Sequence, residues 1–391
     1  MAVILSPREI LERLVAFPTV SSASNLPLVD WVEEYLASHG IQAQRHYDDT
    51  AEKAALFAHV GPGVAGGVVL SGHTDVVPVA GQSWDSDPFQ VTEKDGRLYG
   101  RGTCDMKGFD ALAIAAMVAA QQQGVKRPLQ LALSYDEEIG CIGAPGMIAA
   151  MAGLPRASVV IVGEPSMMKA VNGHKGTASF QVHLRGHAVH SSLLHQGVSA
   201  IMEGAKLIDW ANQRNAENMA ATPGTLASVF DPPCTTLHVG MIKGGTAHNI
   251  TAKDCWFEVD FRVVPGEAVR DWQEAFTAKA NEIAAAMQAV VSETGIDLTV
   301  GFDVPPLVPE NDGPAERLVR RLTGDNASHV VSYATEGGQF QQAGYSTIIC
   351  GPGDIAQAHQ PNEYLERSQL AAGEAFMQAL LAELAQPQRP E

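Results

Sequence analysis

The chain has 391 residues, 46% of them hydrophobic, which is enough for two domains and more than one core. Against 26 Lys plus Arg stand 44 Asp plus Glu, and the formal net charge of −18 argues against partners such as nucleic acid or an anionic membrane surface; a small molecule or a cationic partner fits better. Five scattered cysteines, Cys104, Cys141, Cys234, Cys255 and Cys350, form no C-x-x-C pair and predict reduced thiols in a cytoplasmic setting rather than a disulfide framework.

The N-terminal MAVILSPREILERL has a short apolar start and then a charged amphipathic pattern, so neither a secretory signal nor a transit peptide is expected. No run approaches the roughly 20 apolar residues that span a bilayer. Helices are predicted from Ser6 to Phe17 and from Leu26 to His39, followed by strands from Ala55 to Val60 and from Gly67 to Ser71. Further on come a long helix from Lys107 to Gln123, the strand LQLALSY, a helix from Ala144 to Met151 and the strand ASVVIVG. These apolar runs lack a period of two, as strands covered by helices on both faces should. The alternation predicts an α/β fold with a mixed, mostly parallel sheet flanked by helices.

From about Gly176 the texture changes. FQVHLRG, VSAIMEGAKLIDWAN, TTLHVGMIKGG, CWFEVDFRVVP, a helical pattern from Val269 to Val291 and DLTVGFDVP read in the order βαββαβ. In the first of these strands Phe180, Val182 and Leu184 alternate with Gln181, His183 and Arg185, so one face is expected to meet solvent. An α+β domain over 177–306 is therefore predicted as an insertion between two parts of an α/β domain, 1–176 and 307–391. The last part holds a helix from Pro314 to Leu322, the strand STIICG and a helix from Ser368 to Leu384.

Several residues that can carry chemistry fall just beyond the predicted strands. In GHTDVVP, His73 and Asp75 sit two apart in extended chain and share a side, which suits a metal-bound imidazole with a carboxylate behind it, or equally a core histidine. The Gly-rich LYGRGTCDMKG delivers Asp105 ahead of a helix, as a tightly turned acid or as a helix cap. Glu137 and Glu138 follow one strand, Glu164 another, and His359 lies in a loop after a third. In a parallel α/β sheet such positions converge on one place. The inventory is imidazole and carboxylate without thiolate, suited to zinc, cobalt or manganese. Two divalent cations would balance three ligating carboxylates and one hydroxide, which favours a two-metal site that activates water. Catalysis by the Cys104 thiol is disfavoured because adjacent Asp105 would raise its pKa. A non-catalytic scaffold would be expected to lack one of these groups.

GHTDVVP, LYGRGTCDMKG, DEE, GEPS and AHQPNEYLE, in that order, closely resemble the dinuclear zinc amidohydrolases, a family that includes succinyl-diaminopimelate desuccinylase and carboxypeptidase G. HKGTASFQVHLRG, GGTAHNITA, DFRVVPG and GPGDIAQAHQPNEYLE are most similar to its acetylornithine deacetylase branch. The resemblance implies two divalent metal ions, Zn2+ with Co2+ able to substitute. Asp105 would bridge them, with His73 and Glu164 on one ion and Glu138 and His359 on the other. Asp75 would hold His73, and Glu137 would be the general base. It also implies that the inserted domain is a lid and homodimer interface, with His190 reaching the partner's site and Asn249 and Arg262 holding the substrate carboxylate. Gly337 and Gly338 would line the pocket as a backbone loop. The implied reaction is hydrolysis of an N-acyl amino acid, first N2-acetyl-L-ornithine to ornithine and acetate in arginine biosynthesis; a desuccinylase, aminoacylase or carboxypeptidase-like amidase would share the machinery.

Overall fold

A computed structural model describes residues 2–21, 23–310 and 312–387. Contacts divide the chain into two compact units, one of 1–173, 309–329 and 335–391, the other of 174–308 and 330–334.

The first unit is built on a mixed sheet with four parallel strands at its centre. Leu129–Ser134, Val68–His73, Val159–Pro165 and Ser346–Gly351 lie side by side in that order and run the same way. Antiparallel strands Ala54–Val60 and Ala43–Tyr47 extend one edge, and Val171–His174 pairs antiparallel on the other side. Three of the central strands are buried along their whole length and the fourth at all but Ser346, which explains their apolar sequence. Leu70, Leu131, Ile161 and Ile348 are each fully buried, and each contributes roughly 1.5–3 kcal/mol. The polar strand Ala43–Tyr47 has no apolar run to betray it, because an edge strand needs only half its side chains covered.

Helix Lys107–Gln123 has the predicted bounds and packs against both Pro7–Val15 and Arg367–Leu384. Pro7–Val15 starts with a capping box, in which the Ser6 hydroxyl accepts from the Glu9 amide and the Glu9 carboxylate accepts from the Ser6 amide at 2.8 Å. The same long helix crowds the end of strand Val68–His73. A Cβ on Gly72 would come within 2.0 Å of Asp110 Oδ1, so the residue before His73 has no room for a side chain.

The second unit carries a four-stranded antiparallel sheet in the order Thr236–Gly244, Asp254–Val263, Gly176–Arg185, Gly295–Val304. Helices Ala200–Ala220 and Val269–Gln288 join the strands in the order strand, helix, strand, strand, helix, strand. Phe180, Val182, Leu184, Phe257, Val259 and Phe261 form this unit's own core, while Gln181, Arg185, Trp256 and Glu258 on the opposite face are exposed.

Candidate metal centre and active site

Residues that can carry chemistry lie at or beyond the carboxyl ends of the parallel strands of the first unit. His73 terminates its strand, Glu164 is the penultimate residue of another, Glu137 and Glu138 follow Ser134 closely, and His359 stands in the loop after Gly351. Convergence at strand carboxyl ends follows from the parallel pairing, which brings His73 level with Ser134.

Asp105 lies at the middle. Its Oδ1 is 3.2 Å from His73 Nε2, and its Oδ2 is 3.3 Å from His359 Nε2. Glu164 Oε1 lies 3.8 Å from His73 Nε2, and Glu138 Oε2 lies 2.9 Å from His359 Nε2. Donor atoms of His73, Asp105 and Glu138 lie within 4.8 Å of one another, as do those of His73, Glu137 and Glu164. Asp105 is not a helix cap: the cap position of Lys107–Gln123 belongs to Met106 and makes no side-chain bond. His73 is buried, but its Nε2 faces acids rather than a hydrophobic core.

The shell behind these groups is ordered. His73 Nδ1 is 2.9 Å from the main-chain oxygen of Asp75 and 3.5 Å from its carboxylate. With Nδ1–H bonded to that carbonyl, Nε2–H can donate to Asp105, and on losing that proton Nε2 would offer its lone pair to a metal ion. The Asp75 carboxylate accepts from the Ser21 hydroxyl at 2.8 Å and from the amides of Glu137 and Glu138 at 3.1 and 3.3 Å. It therefore steadies the DEE turn as much as it backs the imidazole. Asp136, with φ 55°, starts that turn, and Lys53 Nζ holds its carboxylate at 2.6 and 2.7 Å. Cys141 ends it and points its thiol at Glu137 Oε1, 3.3 Å away.

The electrostatics are those of crowded acids. Burial, reinforced by the charges of Glu138, Asp105 and Glu336 against the pull of His73, pushes Glu137 well above the carboxylate range. Burial and the charge of Asp105 carry Glu138 up to about 7, and burial with neighbouring acids also raises Glu164. Asp105 goes the other way: burial opposes ionisation, but hydrogen bonds from His359 and His73 outweigh it and keep the carboxyl ionised. Donating to Asp105 and Glu138 raises His359 to about 10. An all-N/O donor set in which buried carboxylates repel one another suits divalent cations, which would relieve the repulsion. Cys104 offers no alternative nucleophile, since burial and nearby acids raise its thiol far above the usual range.

The other expected residues have these places. His190, in the second unit, is exposed; its Nδ1 accepts from the Ser192 amide at 3.2 Å, which puts the ring proton on Nε2. Asn249 is exposed, and its carbonyl accepts from the Ser191 amide. Arg262 Nε donates to Asp260 at 2.9 Å. Gly337 and Gly338, expected in a loop, form the buried first turn of helix Gly337–Gln342, where the Thr335 hydroxyl accepts the Gly337 amide. The roles of Lys53, Ser21, Arg101, Glu336 and Glu363 are not legible in the sequence alone. Glu336 is buried beneath the site, held by the hydroxyls of Ser71 and Ser134, and raised to about 7 by its burial. Glu336 and Glu363 stand in TEGG and HQPNEY beside the expected residues, but nothing in a sequence separates such acids from surface ones.

Known proteins share this architecture. A family model described as Peptidase family M20/M25/M40 matches residues 69–383. A Myxococcus xanthus protein named acetylornithine deacetylase is 35% identical over 397 residues, covering 96% of each chain. Among solved structures, an M20 family metallo-carboxypeptidase from Sulfolobus solfataricus aligns with a TM-score of 0.79 at 16% identity, covering 97% of this chain and 99% of its own. A dinuclear metal-binding M20 peptidase from Bacillus subtilis aligns with a TM-score of 0.62 at 14% identity, over 97% of each chain.

Proposed function

The chain belongs to peptidase family M20/M25/M40 and is a metal-dependent amidohydrolase, and from that premise we propose that it cleaves the amide of N2-acetyl-L-ornithine, giving acetate and ornithine as a step of arginine biosynthesis. The single observation that carries the site is Asp105, whose two oxygens face two different histidines as a bridging carboxylate's would. His73 and Glu164 would hold one divalent ion and Glu138 and His359 the other, with zinc the natural choice for imidazole and carboxylate and cobalt a working substitute. When bound, such ions polarise the amide carbonyl and make water a better nucleophile near neutral pH.

The chain's own groups supply the rest. Glu137 takes a proton from the attacking water as its oxygen bonds to the carbonyl carbon. It gives that proton to the amine nitrogen as the C–N bond breaks, so the base is regenerated. A carboxyl raised by burial and like charges is well matched to this double use. Asp75 keeps the base and the Glu138 ligand in register through their adjacent amides.

The second unit would act as lid and dimer interface. Support comes from strand Thr236–Gly244, which lies at the edge of its sheet with Met241 and Ile242 exposed, an arrangement suited to pairing with a second copy. His190 would then donate a hydrogen bond from Nε2–H to the oxyanion in the other copy's site. Arg262 and Asn249 would hold the substrate carboxylate, Arg262 exchanging Asp260 for it. Among the described residues no helix is long and apolar enough to cross a membrane. A cytoplasmic setting is supported by five cysteines that are all buried and unpaired.

A 35%-identical relative named acetylornithine deacetylase favours that substrate over N-succinyl and other N-acyl amino acids. A rate panel of N-acetyl, N-succinyl and N-formyl amino acids on zinc- or cobalt-loaded protein tests it. N2-acetylornithine should give the highest kcat/KM, and a preference for an N-succinyl substrate would overturn the acetylornithine reading.

A further inference from the structure

One buried acid beside the centre is not available as a ligand. Glu363 is 1% exposed, and both its carboxylate oxygens are taken up by donors. Oε1 accepts the successive amides of Cys104 and Asp105 at 2.9 and 3.1 Å, and Oε2 accepts Arg101 Nη1 at 2.7 Å. Three donors, one of them charged, explain how this acid sits beside Asp105 without joining the ligand set.

Arg101 carries the connection onward. It is fully buried; Nη1 also reaches the carbonyl of Gln360 at 3.3 Å, and Nη2 donates to Gln82 Oε1 at 2.6 Å. Gln82 in turn donates from Nε2 to the main-chain oxygen of His359 at 2.9 Å. The chain of bonds therefore starts at the Asp105 amide, passes through Glu363, Arg101 and Gln82, and ends on the His359 carbonyl. It ties together two loops more than two hundred positions apart in sequence, each carrying one member of the pair that meets at 3.3 Å.

From this geometry we infer that Glu363, Arg101 and Gln82 are positioning residues that set the spacing between Asp105 and His359 and thereby the affinity of the centre for its metal ions. The inference rests on the two-metal reading of the site. His359 needs such support: its backbone is left-handed at φ 63°, its side chain is 51% exposed, and no strand holds it. Arg101 cannot be replaced by Lys in this role, because one guanidinium serves three acceptors in fixed directions. Loss of a group behind a metal ligand typically weakens metal binding about 10- to 100-fold.

The test is a Co2+ titration of the metal-free full chain, followed by visible absorption, on wild type, Glu363→Gln and Gln82→Ala, with circular dichroism to confirm folding. Glu363→Gln should weaken the less tightly held Co2+ by roughly 10- to 100-fold and alter its absorption bands. Gln82 is only partly buried, so Gln82→Ala should fold; it should weaken the same ion by about 3- to 10-fold. Wild-type affinity and spectrum in folded Glu363→Gln would overturn the inference. If that variant does not fold, unchanged binding by Gln82→Ala overturns it equally. A wild-type chain that takes up no Co2+ fails the two-metal reading itself, and this inference with it; uptake of two ions unaffected by either variant fails the inference alone.

Discussion

Lys53 Nζ lies 2.6 and 2.7 Å from the two carboxylate oxygens of Asp136, the residue immediately before the proposed base. The same ammonium bonds the carbonyl of Ser21, whose hydroxyl bonds Asp75. Asp136 is thus an anchor for the turn that presents Glu137 and Glu138. Both side chains are mostly buried, so Lys53→Met strands a carboxylate and should cost roughly 3 kcal/mol in urea unfolding. Turnover should fall as the turn loosens, and Lys53→Met/Asp136→Leu should regain much of the stability without regaining the rate. Identical unfolding midpoints for wild type and Lys53→Met would remove the anchor.

Glu137 stands within ligand reach of His73 and Glu164, so its place alone leaves two roles open. A general base predicts that Glu137→Ala lowers kcat by about 10³-fold or more while metal content stays near two ions per chain. Elemental analysis beside the rate measurement decides. A variant that loses an ion along with its activity would identify Glu137 as a ligand instead.

Removing the ions should inactivate the enzyme, with Zn2+ or Co2+ restoring it, and should also reverse how stability responds to pH. Without metal, Glu138 is raised to about 7 in the fold. Its neutral form is favoured there, and the resulting stability is full below the unfolded pKa and lost as pH rises through about 7. The His359 imidazolium, raised to about 10, contributes stability that is lost as pH rises through that value. Acidifying the chelated protein from pH 9 to 6 should therefore raise its Tm by a few degrees. In the loaded protein protons compete with the ions, so the same change should lower it. Melting curves with and without chelator that shift in the same direction would contradict the proposed centre.

His190 carries its ring proton on Nε2 because the Ser192 amide occupies Nδ1. His190→Ala should lower kcat by about 10²-fold with metal content intact, as expected for removal of one oxyanion donor. Mixing His190→Ala chains with Glu137→Ala chains should restore part of the rate if the donor acts across a dimer. An inactive mixture whose subunits have exchanged would place the histidine's action within its own chain.

Much of this centre is legible in the order of the residues alone. Unbroken apolar strands announce a parallel sheet; His73 and Glu164 lie at the ends of two of them and Glu137 and Glu138 just beyond a third, so their meeting is a matter of topology. The helix Lys107–Gln123 is legible to both ends because its apolar run stops at QQQG. Harder to see are residues whose partners are distant in the chain. Lys53 reads as a surface charge until Asp136 lies beside it, and Glu363 reads as a loop acid until two amides and Arg101 close around it. Gly337 and Gly338 read as loop because glycine pairs seldom begin helices, and the Thr335 hydroxyl that accepts the Gly337 amide carries no periodic signal.

The two histidines differ sharply in access: the side chain of His73 is 1% exposed and that of His359 is 51% exposed. Ion traffic should follow that asymmetry. The ion beside His359 would be the one to leave first under scarcity and return first on resupply, while its neighbour stays as a resident. A cell short of zinc would then hold a reserve of half-loaded enzyme, ready to regain full activity without new synthesis. Pulse-labelling with an enriched zinc isotope should show one site exchanging quickly and the other slowly, and equal exchange at both would refute the asymmetry.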